Sequence, residues 1–156
     1  MIHNIRFRFS LVPALVLGSA LAATAGGFWI SIQNPSTVKD AVARNAVVLI
    51  RADGCHNPAD ATVTGSAEGL VNGVRRSIPL KLEPVSQPGT YAVAPQWPAD
   101  GVWVLKFNGN YLGRDVGALV RLAPQKFEKQ SAELFQRKIT AEDVDASLKS
   151  LATTTD

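Results

Sequence analysis

The stretch ATVTGSAEGLVNGVRRSIPLKL, residues 61–82, decides the fold. Asn72-Gly73 suits a two-residue hairpin turn, because both positions adopt positive φ with little steric penalty. Before the turn, Ala61 to Val71 carries Val63, Ala67 and Leu70. Gly65 and Gly69 mark places where a bulge or bend would fit. After it, Ile78, Leu80 and Leu82 alternate with Ser77, Pro79 and Lys81, the period of a strand with one face in a core. Pro79 has no N–H for a ladder hydrogen bond, so this strand is expected at a sheet edge.

Working outward, the same reading recurs. Ala46 to Ile50 is an unbroken apolar run, as expected of a strand buried on both faces. Pro88-Gly89 predicts a turn into a strand from Tyr91 and Val93 towards Trp97-Pro98, and Ala99-Asp100-Gly101 reverses the chain again. Trp103, Leu105 and Phe107 alternate with Val102, Val104 and Lys106. Asn108-Gly109 then predicts a second hairpin into Tyr111 and a strand over Ala118 to Leu122. Strands at this spacing without intervening helix indicate an all-β sandwich or barrel. After Pro124 the charges become dense. Thr140 suits an N-cap, Glu142 and Asp143 suit a first turn, and Val144, Leu148 and Leu151 share a helical face. Residues 125–139 fit either helix or an extended linker.

The amino terminus sets the expected compartment. Arg6 and Arg8 precede an uncharged stretch from Phe9 to Val38, and small residues around Ala23-Thr24-Ala25 offer a peptidase site. Residues 1–25 read as a signal peptide, with the mature chain starting near Gly26 and Phe28 to Ile32 as its first strand. The alternative is an uncleaved anchor reaching to about residue 32, because Phe28, Trp29, Ile30 and Ile32 prolong the apolar run. The expected localisation is periplasmic or secreted, or anchored at the membrane if the segment is uncleaved. The domain reading is then signal 1–25, β-sandwich 26–123 and C-terminal helical extension 124–156.

Net charge is +3, and removing the two signal arginines leaves 14 basic against 13 acidic residues. So small an excess gives no electrostatic footprint for nucleic acid. A single cysteine, Cys55, forms no internal disulfide, so the fold must stand on packing. In an exported chain that cysteine is free, metal-bound or joined to a second copy.

Gln87-Pro88-Gly89-Thr90-Tyr91-Ala92-Val93 followed by Pro98-Ala99-Asp100-Gly101-Val102-Trp103-Val104-Leu105 resembles the "PG.Y … G.W.L" ending of small exported bacterial immunoglobulin-like domains. Some of these are associated with copper handling and cytochrome oxidase maturation. The resemblance covers residues 45–107 and implies an immunoglobulin-like β-sandwich. Copper-binding relatives typically carry Met-rich or paired-His ligands, whereas this chain has only Met1 and, beyond the signal, His56.

The candidate chemistry lies in Asp53-Gly54-Cys55-His56-Asn57-Pro58. A thiolate and an imidazole suit Cu(I) or Zn(II), with a third ligand needed from Asp53, Asp60 or another chain. As adjacent residues, Cys55 and His56 are poorly placed for a nucleophile–base pair, and Cys-x-x-Cys-His for haem is absent. Trp97, Trp103, Tyr91 and Tyr111 either line a sugar- or protein-binding face or, by the alternation around Trp103, pack inside. The sequence thus leads to an exported, non-enzymatic binding or accessory module of the cell envelope without a cofactor. An envelope protein docking on the C-terminal helical segment is the expected partner. The alternative is a copper- or zinc-binding protein using Cys55 and His56.

Overall fold

The computed structural model describes residues 27–54, 56–123 and 126–154. The signal segment, the anchor reading as far as residue 26, and Cys55 lie outside the described residues. The elements run β1 Trp29–Gln33, α1 Lys39–Ala43, β2 Val48–Asp53, β3 Thr62–Val71, β4 Val74–Pro79, β5 Glu83–Pro84, β6 Thr90–Val93, β7 Val102–Tyr111, β8 Arg114–Ala123, β9 Lys126–Phe135 and α2 Ala141–Thr154. The strands form two antiparallel sheets, ordered β1-β2-β6-β5 and β4-β3-β7-β8-β9. The protein is a mostly-β sandwich with one C-terminal helix.

Alternation builds the core. Ile30 and Ile32 of β1, Val48 and Ile50 of β2, Trp103, Leu105 and Phe107 of β7, and Val116, Ala118, Val120 and Leu122 of β8 share one buried cluster between the sheets. Each large apolar side chain so buried contributes about 1.5–3 kcal/mol against the chain entropy that folding removes. Leu49 turns the other way, packing with Ala41 of α1 and Ala92 on the outer side of the four-stranded sheet. The run around Val48-Leu49-Ile50 is therefore buried on both faces, as its sequence predicted.

The Asn72-Gly73 hairpin forms with φ of 50° and 74°, and β4 is an edge strand with Pro79 opposite Ser66. Two expectations need correction. Gly65 and Gly69 cause no bulge: β3 pairs with β7 in unbroken register, with Gly65 opposite Phe107 and Gly69 opposite Trp103. Their missing side chains make room for the rings. A Cβ on Gly69 would stand 2.4 Å from the Trp103 indole. The register shift lies instead between Val120 and Leu122 of β8, where the Arg121 carbonyl accepts a hydrogen bond from Ser131 Oγ at 2.8 Å.

Asn108-Gly109 is not a turn. Both residues lie inside β7, and the hairpin falls at Leu112-Gly113, with φ of 49° and 79°. Each has a packing task that keeps the strand running. Asn108 Oδ1 accepts from the Ile139 N–H at 2.8 Å, tying down the approach to α2. Gly109 lets Phe28 and Ile30 come within about 3.2 Å of where its Cβ would be.

Residues 126–135, legible in sequence as helix or linker, are the fifth strand of the larger sheet. Within residues 126–154 helix is confined to α2, which lies on the outer face of that sheet. Val144 and Leu148 are buried with Val104, Leu119 and Ile139, and Leu151 packs beside them. The cap is reciprocal: Thr140 Oγ1 accepts from the Asp143 N–H at 3.3 Å, and Asp143 Oδ2 accepts from the Thr140 N–H at 2.9 Å. Arg137 also pairs with Asp143. That guanidinium and the Thr140 N–H hold the Asp143 carboxyl far below the usual carboxylate range.

On the same outer face Glu68, only 5% exposed, accepts from Ser66 Oγ at 2.6 Å and Ser77 Oγ at 3.0 Å and pairs with Lys106 at 3.1 Å. Burial pushes its carboxyl up, but these donors outweigh it and hold the group below its ordinary value. Arg75 extends the network from Glu68 to Asp145 of α2.

Candidate functional site

The inward alternation of Phe28, Ile30 and Ile32 forces Trp29, Ser31 and Gln33 outward on β1. Trp29 keeps 40% of its surface exposed. Across the side of the sandwich, β9 brings Leu134 to the surface with 56% exposure. Between them runs a groove of about 320 Å³ lined by Trp29, Ser31, Ile32, Gln33, Asp53, Ala132 and Leu134. Large exposed apolar side chains beside a concavity are the usual mark of a contact site.

Packing braces the aromatic wall. Gly54 has φ of 75°, and a Cβ there would stand 2.3 Å from Trp29 Cζ3 and 2.2 Å from the Gly27 carbonyl oxygen. Only glycine lets the backbone lie that close to the indole. The polar wall is a chain of hydrogen bonds. Gln33 Nε2 donates to Ser31 Oγ at 3.3 Å, and Ser31 Oγ donates to Asp53 Oδ2 at 2.5 Å. Arg51 Nε lies 3.0 Å from Asp53 Oδ1. Trp29 and Ser31 sit opposite Asp53 and Arg51 in the β1–β2 register, so strand pairing itself assembles this wall.

A second cleft, of about 270 Å³, lies between α2 and the larger sheet and is lined by Arg121, Glu133, Asp143, Ser147 and Ser150 among others. Its charges are committed to one another: Arg121 pairs with Glu133, and Asp143 with Arg137.

His56 is exposed in the loop after β2, and Cys55 lies outside the described residues. Among the described residues no three His, Asp, Glu or Cys side chains come together as a metal-ligand group. Trp103 is buried, its Nε1 donating to the Asp100 carbonyl at 2.8 Å. Trp97 is likewise in the core, and Tyr91 and Tyr111 are half-buried. The exposed tryptophan is Trp29, which sequence reasoning placed in the first strand without assigning it a role. Its signal was legible there, since three inward apolar residues at alternate positions turn the intervening tryptophan outward.

No helix among the described residues is long and apolar enough to cross a membrane. Comparison with protein-family models, curated proteins and solved structures returns no match.

Proposed function

We propose that the chain is an exported, non-enzymatic binding or accessory module of the cell envelope, and that the groove between β1 and β9 is its ligand face. The observation that carries this reading is the groove itself: a braced, outward-facing Trp29 opposite an exposed Leu134, above an ordered polar wall. The amino-terminal pattern supports export. We read the sandwich as immunoglobulin-like, a reading supported by its two antiparallel sheets and by Tyr91 and Trp103 in the motif that carries the resemblance. An envelope partner on the C-terminal segment would meet the polar side of α2, with Glu142, Asp145 and Lys149, because the apolar side packs on the sheet.

The test is site-specific photo-crosslinking in intact cells, with a photoreactive residue in place of Leu134 and, as control, in place of Leu112. Leu112 is 89% exposed in a hairpin and lines neither this groove nor the second cleft. Discrete adducts at 134 but not at 112 are expected. Equal or absent labelling at the two positions would overturn the reading.

A further inference from the structure

We propose that the β1–β9 groove takes a neutral sugar ring, resting on the reading of this groove as the ligand face. Three features select that class. The first is the indole of Trp29, one part packed on Gly54 and the residue 40% exposed, which offers apolar ring surface to the C–H face of a sugar. The second is the make-up of the polar wall. After the internal bonds of Gln33, Ser31 and Asp53 are counted, the Gln33 amide keeps a donor hydrogen and its acceptor oxygen, and the Asp53 carboxylate keeps acceptor lone pairs. Donors and acceptors side by side match hydroxyl groups, each of which both gives and takes a hydrogen bond.

The third is charge. Asp53 is the only ionisable residue among the seven that line the groove. Arg51 offsets that charge from 3.0 Å away, so the groove is close to neutral and offers an ionic ligand no free counter-charge. A wholly apolar ligand would cover the Ser31–Asp53 wall without replacing its water, which costs binding free energy. The groove volume of about 320 Å³ lies at the small end of ligand pockets, the size of one or two rings rather than a long chain.

Gln33 and Ser31 stand two residues apart on one strand face, and Asp53 faces Trp29 across the ladder. The sugar would therefore lie along β1, its apolar face on Trp29 and its hydroxyl edge towards Ser31, Gln33 and Asp53, with Leu134 closing the far side. Leu134 adds apolar contact but no hydrogen bond. Trp29 and Asp53 are thus the residues on which binding depends.

The test uses the methyl glycosides of glucose, galactose, mannose and N-acetylglucosamine, each titrated to about 100 mM against the folded protein. A ligand of about a dozen non-hydrogen atoms binds in the millimolar range. The readout is the NMR shift of the Trp29 indole N–H and the Gln33 side-chain amide. At least one glycoside should move both signals saturably. In the Trp29 variants, which lack the indole signal, the response is read at the Gln33 amide: Trp29→Ala should abolish it and Trp29→Phe should restore part of it. Asp53→Asn should weaken binding about tenfold, with the remaining spectrum showing each variant folded.

Glucuronic acid should bind more weakly than glucose. If no glycoside moves these signals, or if cyclohexanol moves them as strongly as any glycoside, the sugar assignment is overturned. Crosslinking at position 134 separates the two failures. Adducts without glycoside binding leave the groove as a ligand face for another class, whereas loss of both removes the binding reading as well.

Discussion

Trp29 and Trp103 both sit on strands, and strand alternation gives them opposite tasks. Trp103 points inward and is 2% exposed; replacing it with alanine removes a large buried aromatic and should cost ~3–5 kcal/mol in urea unfolding. A loss below about 1 kcal/mol would mean that its pocket collapses freely or was never filled. Its ring occupies space that Gly69 leaves open, so Gly69→Ala drives a methyl into the indole and should destabilise by ~1–3 kcal/mol, again read by urea unfolding. Leu112 is the reverse case. A leucine at φ of 49° is strained, and Leu112→Asn should raise stability by about 1 kcal/mol, because asparagine tolerates that conformation and makes the turn an Asn-Gly pair. An unchanged unfolding midpoint would show that the loop relaxes around the leucine.

At the scale of elements, α2 is held by its cap and its apolar stripe. Thr140→Ala removes the hydroxyl that accepts from the Asp143 N–H and should cost ~1 kcal/mol, visible in the thermal midpoint. The Glu68 network joins β3, β4 and β7 to that helix and makes stability depend on pH. Because Glu68 titrates below its ordinary 4.5 in the folded state, it stabilises the protein above that value. The contribution fades as pH falls through the folded pKa. Glu68→Gln should therefore flatten the acid limb of urea midpoint against pH. An equally steep limb would assign acid sensitivity to the exposed carboxylates instead.

The helix and the first hairpin were legible in sequence because their signals are local: a cap, a 3.6-residue period, an Asn-Gly pair. The second hairpin was misplaced because Asn108-Gly109 carries the same local signal, while the contacts that keep it in β7, to Ile139 and to Phe28 and Ile30, come from distant parts of the chain. Strand β9 was ambiguous for a related reason. Lys126 to Phe135 carries mixed charges with sparse apolar residues, and only its pairing with β8 selects the extended form.

For the whole molecule, the groove was invisible to a reading along the chain because its two walls are about a hundred residues apart. β1 supplies the aromatic and polar wall and β9 the apolar one, and they meet only because each ends its own sheet. On the proposed export, this face would meet envelope components. Intact mass of protein from the cell envelope should correspond to a chain beginning near Gly26; a full-length mass in the membrane fraction would indicate an uncleaved anchor. The most direct test of the groove as ligand face is hydroxyl-radical footprinting of the protein in its native envelope against the purified protein. Trp29 and Leu134 should be protected in the envelope while Leu112 and Val74, both exposed elsewhere, label equally in the two states. Equal labelling of Trp29 and Leu134 in both would contradict the account.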